Sequence, residues 1–172
     1  MNRKFLCGLG AVEAFVLATA ALAGDQTKSE EAFDRLTSLS GEWKGEMSGV
    51  HTTLIYTVTA NGSALMEQCR PENGREMITM FTVDGDHLIA THYCSAKNQP
   101  QMATSAISDA QKPLAFSLVR VTGLKSPDDF HNTGLTVIRE DNDHLTQEWL
   151  YDAKGKSGKN VFHFTRVRPR AS

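Results

Sequence analysis

His92 and Cys94 stand two residues apart inside the strand-like run from Leu88 to Ser95. In an extended chain alternate side chains leave the same face, so this imidazole and thiol can share one site with groups from neighbouring strands. They could be two ligands of a zinc site that His163, Glu67 and Cys69 complete, or a thiol nucleophile with His92 as its base. No zinc spacing signature accompanies them, and ordinary barrel-wall residues are the simpler alternative. Glu67, Arg120, Glu148 and His163 are also ionisable residues within strand-like runs. Pointing inward, each must pair with another, with water or with a charged head group, because a lone buried charge is too costly to keep. Arg120 is the expected partner of an anionic head. Asn98-Gln99-Pro100 lies between strands, either as a plain polar loop or as a rim whose Asn98 and Gln99 amides bond an entering ligand. The expected ligand-binding set is therefore His92, Cys94, Arg120, Glu67, Asn98, Gln99 and His163, with no residue assigned to catalysis or to a metal.

Two other motifs resolve into turns. Asp84-Gly85-Asp86 and Asp141-Asn142-Asp143 look like fragments of calcium loops but lack the remaining ligands and the distal glutamate. Asn61-Gly62-Ser63 is formally a glycosylation acceptor and also fits a tight turn.

The elements that must position these groups are legible from periodicity. Thr27-Lys28-Ser29-Glu30 is a capping box, and Ala32, Phe33, Leu36 and Leu39 then recur at spacings of three and four, predicting a helix that Gly41 ends. From Trp43 onward the period is two. Ten strands are predicted, at 43–49, 52–60, 63–70, 75–83, 87–95, 101–108, 114–122, 133–140, 144–152 and 160–167. Asn61-Gly62, Asn73-Gly74 and Asp84-Gly85 supply the positive φ angles that two-residue hairpin loops require. Ten sequential strands with one helix to cover them would leave long exposed edges. The expectation is an all-β, antiparallel up-and-down barrel of about ten strands, with the short N-terminal helix closing one end. Several strands, 87–95 among them, have two semi-apolar faces, as the wall of a lined cavity would.

Cys69 and Cys94 are expected to be free thiols. Two-residue turns at Asn73-Gly74 and Asp84-Gly85 would put them on strands separated by a third, roughly 9.5 Å apart and facing opposite ways, beyond the roughly 7 Å that a bridged pair of Cα atoms tolerates. Met47, Met66, Met77, Met80 and Met102 suit either core filling or a pocket that adapts to apolar ligands.

The first 23 residues read as a signal peptide. Arg3 and Lys4 precede an apolar stretch broken only by Glu13, and Ala21-Leu22-Ala23 is a small-x-small cleavage site. Residues 24–172 then form one domain, exported to the periplasm or beyond. The 172 residues carry 18 basic and 20 acidic side chains, with a pI near 6.3. That balance supplies no basic stripe for a phosphate backbone, so nucleic acid is excluded as a partner. No other segment is long and apolar enough for a spanning helix, so no stable membrane insertion is expected after leader removal.

A short helix, then Gly41-Glu42-Trp43 opening a strand meander, resembles the calycin group of lipocalins and fatty-acid-binding-type barrels, whose first strand carries G-x-W. The resemblance implies a Trp43 packed beneath the barrel under a basic side chain, Arg166 or Arg168, from the last strand. Gly41-x-Trp43-x-Gly45 also looks like the opening of the haem-binding nitrobindin barrels, although Met47 stands where their third glycine falls. That likeness implies a histidine ligand near the C-terminus, for which His163 is the one candidate in the last strand. Thr91 to Met102 looks like a segment of uncharacterised exported bacterial calycin-like proteins. Together these point to a barrel holding a small, apolar or amphipathic ligand, with no cofactor assigned. The alternatives are a barrel enzyme using His92 with Cys94 or Glu67, and a haem- or metal-binding barrel.

Overall fold

The computed structural model describes residues 25–168, and the predicted leader lies outside them. The chain enters helix α1, Lys28–Thr37, through the expected box: the Thr27 hydroxyl accepts from the Glu30 N–H at 3.2 Å, and the Glu30 carboxylate accepts from the Thr27 N–H at 2.7 Å. Ala32, Phe33 and Leu36 form its buried stripe.

Ten strands follow: β1 Gly41–Met47, β2 Val50–Thr59, β3 Ala64–Pro71, β4 Met77–Asp84, β5 His87–Tyr93, β6 Gln99–Thr104, β7 Leu114–Thr122, β8 His131–Arg139, β9 His144–Ala153 and β10 Lys156–Arg166. Each pairs antiparallel with the next, and β1 pairs with β10, so the sheet closes into a barrel without free edges. This is the all-β architecture expected, compatible with a calycin-like barrel. Among the described residues no helix is long and apolar enough to cross a membrane.

Turn chemistry sets the register. Ser48-Gly49 and Lys154-Gly155 are two-residue turns, between the pairs Met47↔Val50 and Ala153↔Lys156, with positive φ at both central residues. Gly85-Asp86 is likewise a two-residue turn between Asp84 and His87, with positive φ at Gly85. The other two expected tight loops are longer. The pair Thr59↔Ala64 leaves a short 3-10 turn, Ala60–Gly62, and Ser63 between β2 and β3, and Cys69↔Met77 leaves an extended β3–β4 connection.

The helix end is filled solid. Trp43, Leu54, Leu65, Phe81, Leu88 and Phe164 are almost completely buried there, with α1 lying over them. The Ser29 hydroxyl donates to the Gly85 carbonyl at 2.7 Å, and the Arg35 guanidinium donates to the carbonyls of Ala110, Gln111 and Lys112, which ties α1 to the loops it covers. The Trp43 indole N–H donates to the Leu39 carbonyl at 2.8 Å. Arg166, not Arg168, lies over that indole, 4.1 Å from the ring centroid, and donates to the carbonyls of Ser38, Ser40 and Asn142. Arg168 instead pairs with Asp143 at the surface.

Gly45 explains why β1 can meet β10. A Cβ at this position would lie 2.2 Å from the His163 carbonyl and 2.6 Å from the Phe164 ring. Gly45→Ala must therefore push the closing strands apart, with an expected loss of about 2 to 3 kcal/mol in chemical denaturation. Arg166→Ala should cost about 1 to 3 kcal/mol through the indole contact and the three carbonyls it leaves, whereas Arg168→Ala should leave the unfolding midpoint unchanged. Equal effects of the two arginine substitutions would contradict this account of the cap.

Candidate functional site

Packing gives out toward the opposite end of the barrel, where a cavity of about 210 Å³ opens between the strand ends. Sulfur-bearing side chains (Met47, Cys69, Met77, Cys94) and aromatic ones (Phe130, Trp149, Phe162) make up half of its lining residues, with Glu67, His92, Asn132, Gln147 and Asn160 as the larger polar groups. The Cys69 thiol lies 3.6 Å from the Met47 sulfur, and burial pushes its pKa up, so it stays a protonated, soft wall residue.

Beneath the cavity lies a polar cluster on the inward faces of β2, β3, β4 and β9. Glu67, 1% exposed, accepts from the Tyr56 hydroxyl at 2.5 Å and from the Gln147 amide at 2.6 Å. The Trp149 indole N–H can only donate, and it does so to the Gln147 side-chain oxygen at 2.9 Å. That bond turns the Gln147 NH₂ toward Glu67 and toward the Tyr56 oxygen, 2.8 Å away. Burial raises the carboxyl's pKa above its ordinary value, against the lowering effect of hydrogen bonds from Tyr56, Gln147 and Thr79. Burial also pushes the Tyr56 phenol upward, with the charge on Glu67 reinforcing it, so the phenol keeps its proton and remains a donor.

His92 joins this cluster from β5. Its Nδ1 is 2.9 Å from the Thr79 hydroxyl, its ring packs on Trp149 with centroids 4.7 Å apart, and its buried Nε2 has no hydrogen-bond partner. Burial lowers its pKa from 6.5 to about 4, so the ring is neutral at pH 7. Its hydrogen bond runs to Thr79 and not directly to Cys94 or Glu67.

Of the seven sequence-derived candidates, Glu67, His92 and Cys94 come together on the cavity wall. The other four do not. Arg120 sits on the outer face, where its Nε donates to the Gln101 side-chain oxygen at 3.0 Å. The cause is a β-bulge: Met102 pairs with Leu118 and Gln101 with Arg120, so Val119 is an extra residue that inverts the facing of everything after it. His163 is exposed between the inward Phe162 and Phe164 and bonds Thr146 at 2.7 Å, so it cannot ligate a group held in the cavity. Asn98 is buried but donates to the Phe130 carbonyl at 2.6 Å, strapping the β5–β6 turn to the β7–β8 loop, and Gln99 accepts from the Thr122 hydroxyl. They position the rim and do not line it.

Cys69 and Cys94 are free thiols on either side of Met77. They face the same cavity, however, because the longer β3–β4 connection changes the parity that a two-residue turn would have imposed. Among the described residues no group of three or more His, Cys, Asp and Glu side chains converges to hold a metal ion.

Sequence reasoning missed Tyr56, Thr79, Asn132, Gln147 and Trp149. Gln147 was the most accessible, since Leu145-x-Gln147-x-Trp149 puts a polar residue on an otherwise apolar inward face. Asn132 was not, because a second bulge, between the pairs Asn132↔Tyr151 and Gly134↔Leu150, turns it inward. Among known protein families and curated proteins, none matches this chain.

Two predictions follow from the cluster. The folded state holds His92 neutral while the unfolded chain takes up a proton below about pH 6.5, so the stabilisation is complete above 6.5 and is lost as the pH falls toward 4. That window is worth about 3 kcal/mol, and urea denaturation of the His92→Gln variant between pH 7.5 and 4.5 should show a flattened slope against the parent. For Glu67, whose raised pKa makes ionisation a cost of folding above its ordinary titration range, Glu67→Gln should be at least as stable as the parent at pH 7. Glu67→Leu should lose about 2 to 4 kcal/mol because it orphans the Tyr56 and Gln147 donors. A Gln variant as unstable as the Leu variant would show that the charge itself is required.

Proposed function

We propose that this chain is an exported barrel of calycin type, cleaved after Ala23, that holds a small, largely apolar molecule in its lumen. The single observation behind this is the cavity: a barrel packed solid at one end yields at the other to about 210 Å³ walled by soft and aromatic side chains. Benzene occupies a cavity of about 150 Å³, so the space suits a single ring or a short branched chain, and an extended fatty acid would protrude from it. Binding would draw on burial of apolar ligand surface, at about 25 cal/mol per Å² before ordering costs. Met47, Met77 and the two cysteines supply a deformable wall that accepts variation in ligand shape.

Methionine positions make the proposal testable without knowing the natural ligand. Met47 and Met77 line the cavity, Met66 and Met80 are only partly buried on the outer side of the wall, and Met102 is fully buried in the core. In protein carrying ¹³C-methyl methionine, toluene should shift the Met47 and Met77 methyl resonances saturably and leave Met66 and Met80 in place. Unmoved Met47 and Met77 signals at millimolar toluene would refute the proposal. Native mass spectrometry of the protein from its own host should show the resident molecule as added mass.

A further inference from the structure

Sulfur is concentrated where the barrel opens, and strand pairing puts it there. Cys69 on β3 and Met77 on β4 are directly paired and both line the cavity. Side chains so paired leave one face of the sheet with Cβ atoms about 4.5 to 5.5 Å apart. Met47 reaches the same place from the end of β1, with its sulfur accepting from the Cys69 thiol at 3.6 Å. Three sulfurs from three strands therefore share one part of the wall. Cys94 is engaged elsewhere, since its sulfur accepts from the Ala96 N–H at 3.5 Å within its own turn.

The spacing of the measured pair suits a shared metal ion. With metal–sulfur bonds of about 2.3 Å, sulfurs 3.6 Å apart subtend an angle of about 100° at the ion, close to tetrahedral. Met47 and Cys69 can thus hold one ion without separating, and the flexible arm of Met77 supplies a third donor. Donor type then decides which ion. Two thioethers and one thiolate form a soft set, which selects Cu(I) over zinc, calcium or magnesium. Because two of the three donors are methionines, this site is consistent with the lack of a converging His, Cys, Asp and Glu group among the described residues.

Charge points the same way. Cu(I) and one thiolate cancel, so the filled site is neutral, as an apolar wall requires. A divalent ion would keep one positive charge, and Glu67, the one acidic group among the described lining residues, already accepts from Tyr56 and Gln147. As the sulfur–copper bond forms, the Cys69 thiol gives its proton to the buffer. The metal arrives as Cu(I), so nothing is oxidised or reduced.

We propose that Met47, Cys69 and Met77 form a three-sulfur site for Cu(I) in the cavity wall. It depends on the placement of these side chains and not on the apolar guest proposed above.

Under nitrogen, the whole protein should withdraw one equivalent of copper from the Cu(I)–bicinchoninate complex. In protein carrying ¹³C-methyl methionine, Ag(I), a soft monovalent stand-in, should shift the Met47 and Met77 methyl resonances and leave Met66, Met80 and Met102 in place. Zn(II) should move none of them. Met47→Leu and Met77→Leu conserve volume and should each weaken Cu(I) binding about tenfold, and Cys69→Ala should weaken it more than about 100-fold. Met66→Leu should leave it unchanged. Unmoved Met47 and Met77 signals under Ag(I), equal shifts under Zn(II), or undiminished Cu(I) binding by folded Cys69→Ala would each overturn the proposal. Toluene added to metal-free protein reads the apolar cavity separately, so a response to toluene without one to Ag(I) ends the copper site alone.

Discussion

The backbone hydrogen bonds between Trp43–Gly45 of β1 and Phe164–Arg166 of β10 join the two ends of the described chain. Without them the ten strands would form an open sheet with two exposed edges and no enclosed interior. Gly45 permits the approach, since the Phe164 ring and the His163 carbonyl occupy the space that any side chain would need. Arg166 reinforces the join by covering Trp43 and gathering carbonyls from Ser38, Ser40 and Asn142. One short seam thus supports both the packed end and the cavity.

The barrel is built asymmetrically along its axis. At the helix end, inward positions carry large hydrocarbon and aromatic side chains that meet across the centre, and α1 seals what they leave. Toward the other end the same inward rows change to Glu67, His92, Asn132 and Gln147, with flexible sulfur-bearing residues beside them. Polar groups of this kind persist in a buried wall only when their hydrogen bonds are met. Tyr56 and Gln147 donate to Glu67, Trp149 holds Gln147 in place, and Thr79 bonds His92 Nδ1, which leaves the buried His92 Nε2 as the atom of the cluster without a partner.

Much of this was legible in the sequence. The Thr27 capping box, the ten strands and the free state of the cysteines follow from local chemistry or simple periodicity, and the seating of Trp43 was implied by the resemblance to barrels whose first strand carries G-x-W. His92 and Cys94 were recognisable as a pair because a regular strand carries them on one face. Phe162 and Phe164 on either side of His163 are a signal in the sequence that His163 faces outward. The correction at Arg120 is of another kind: nothing in Leu114 to Thr122 marks Val119 as an extra residue, because the bulge exists only in the pairing with β6.

The sequence by itself determined that one helix and ten strands follow in order, roughly where the chain must turn and that a sheet of this length needs closure, because alternation and turn propensity act over a few residues at a time; it misplaced the start and end of β6, expected at 101–108 and found at Gln99–Thr104. Tertiary structure alone decided which polar groups meet in the interior. Strand register, bulges at Val119 and Thr133, and the length of the β3–β4 connection set the facing of whole segments, and a shift of one residue exchanges lumen for solvent. That is why Arg120 left the site, Asn132 entered it, and the Glu67 cluster took partners from strands far apart in the chain.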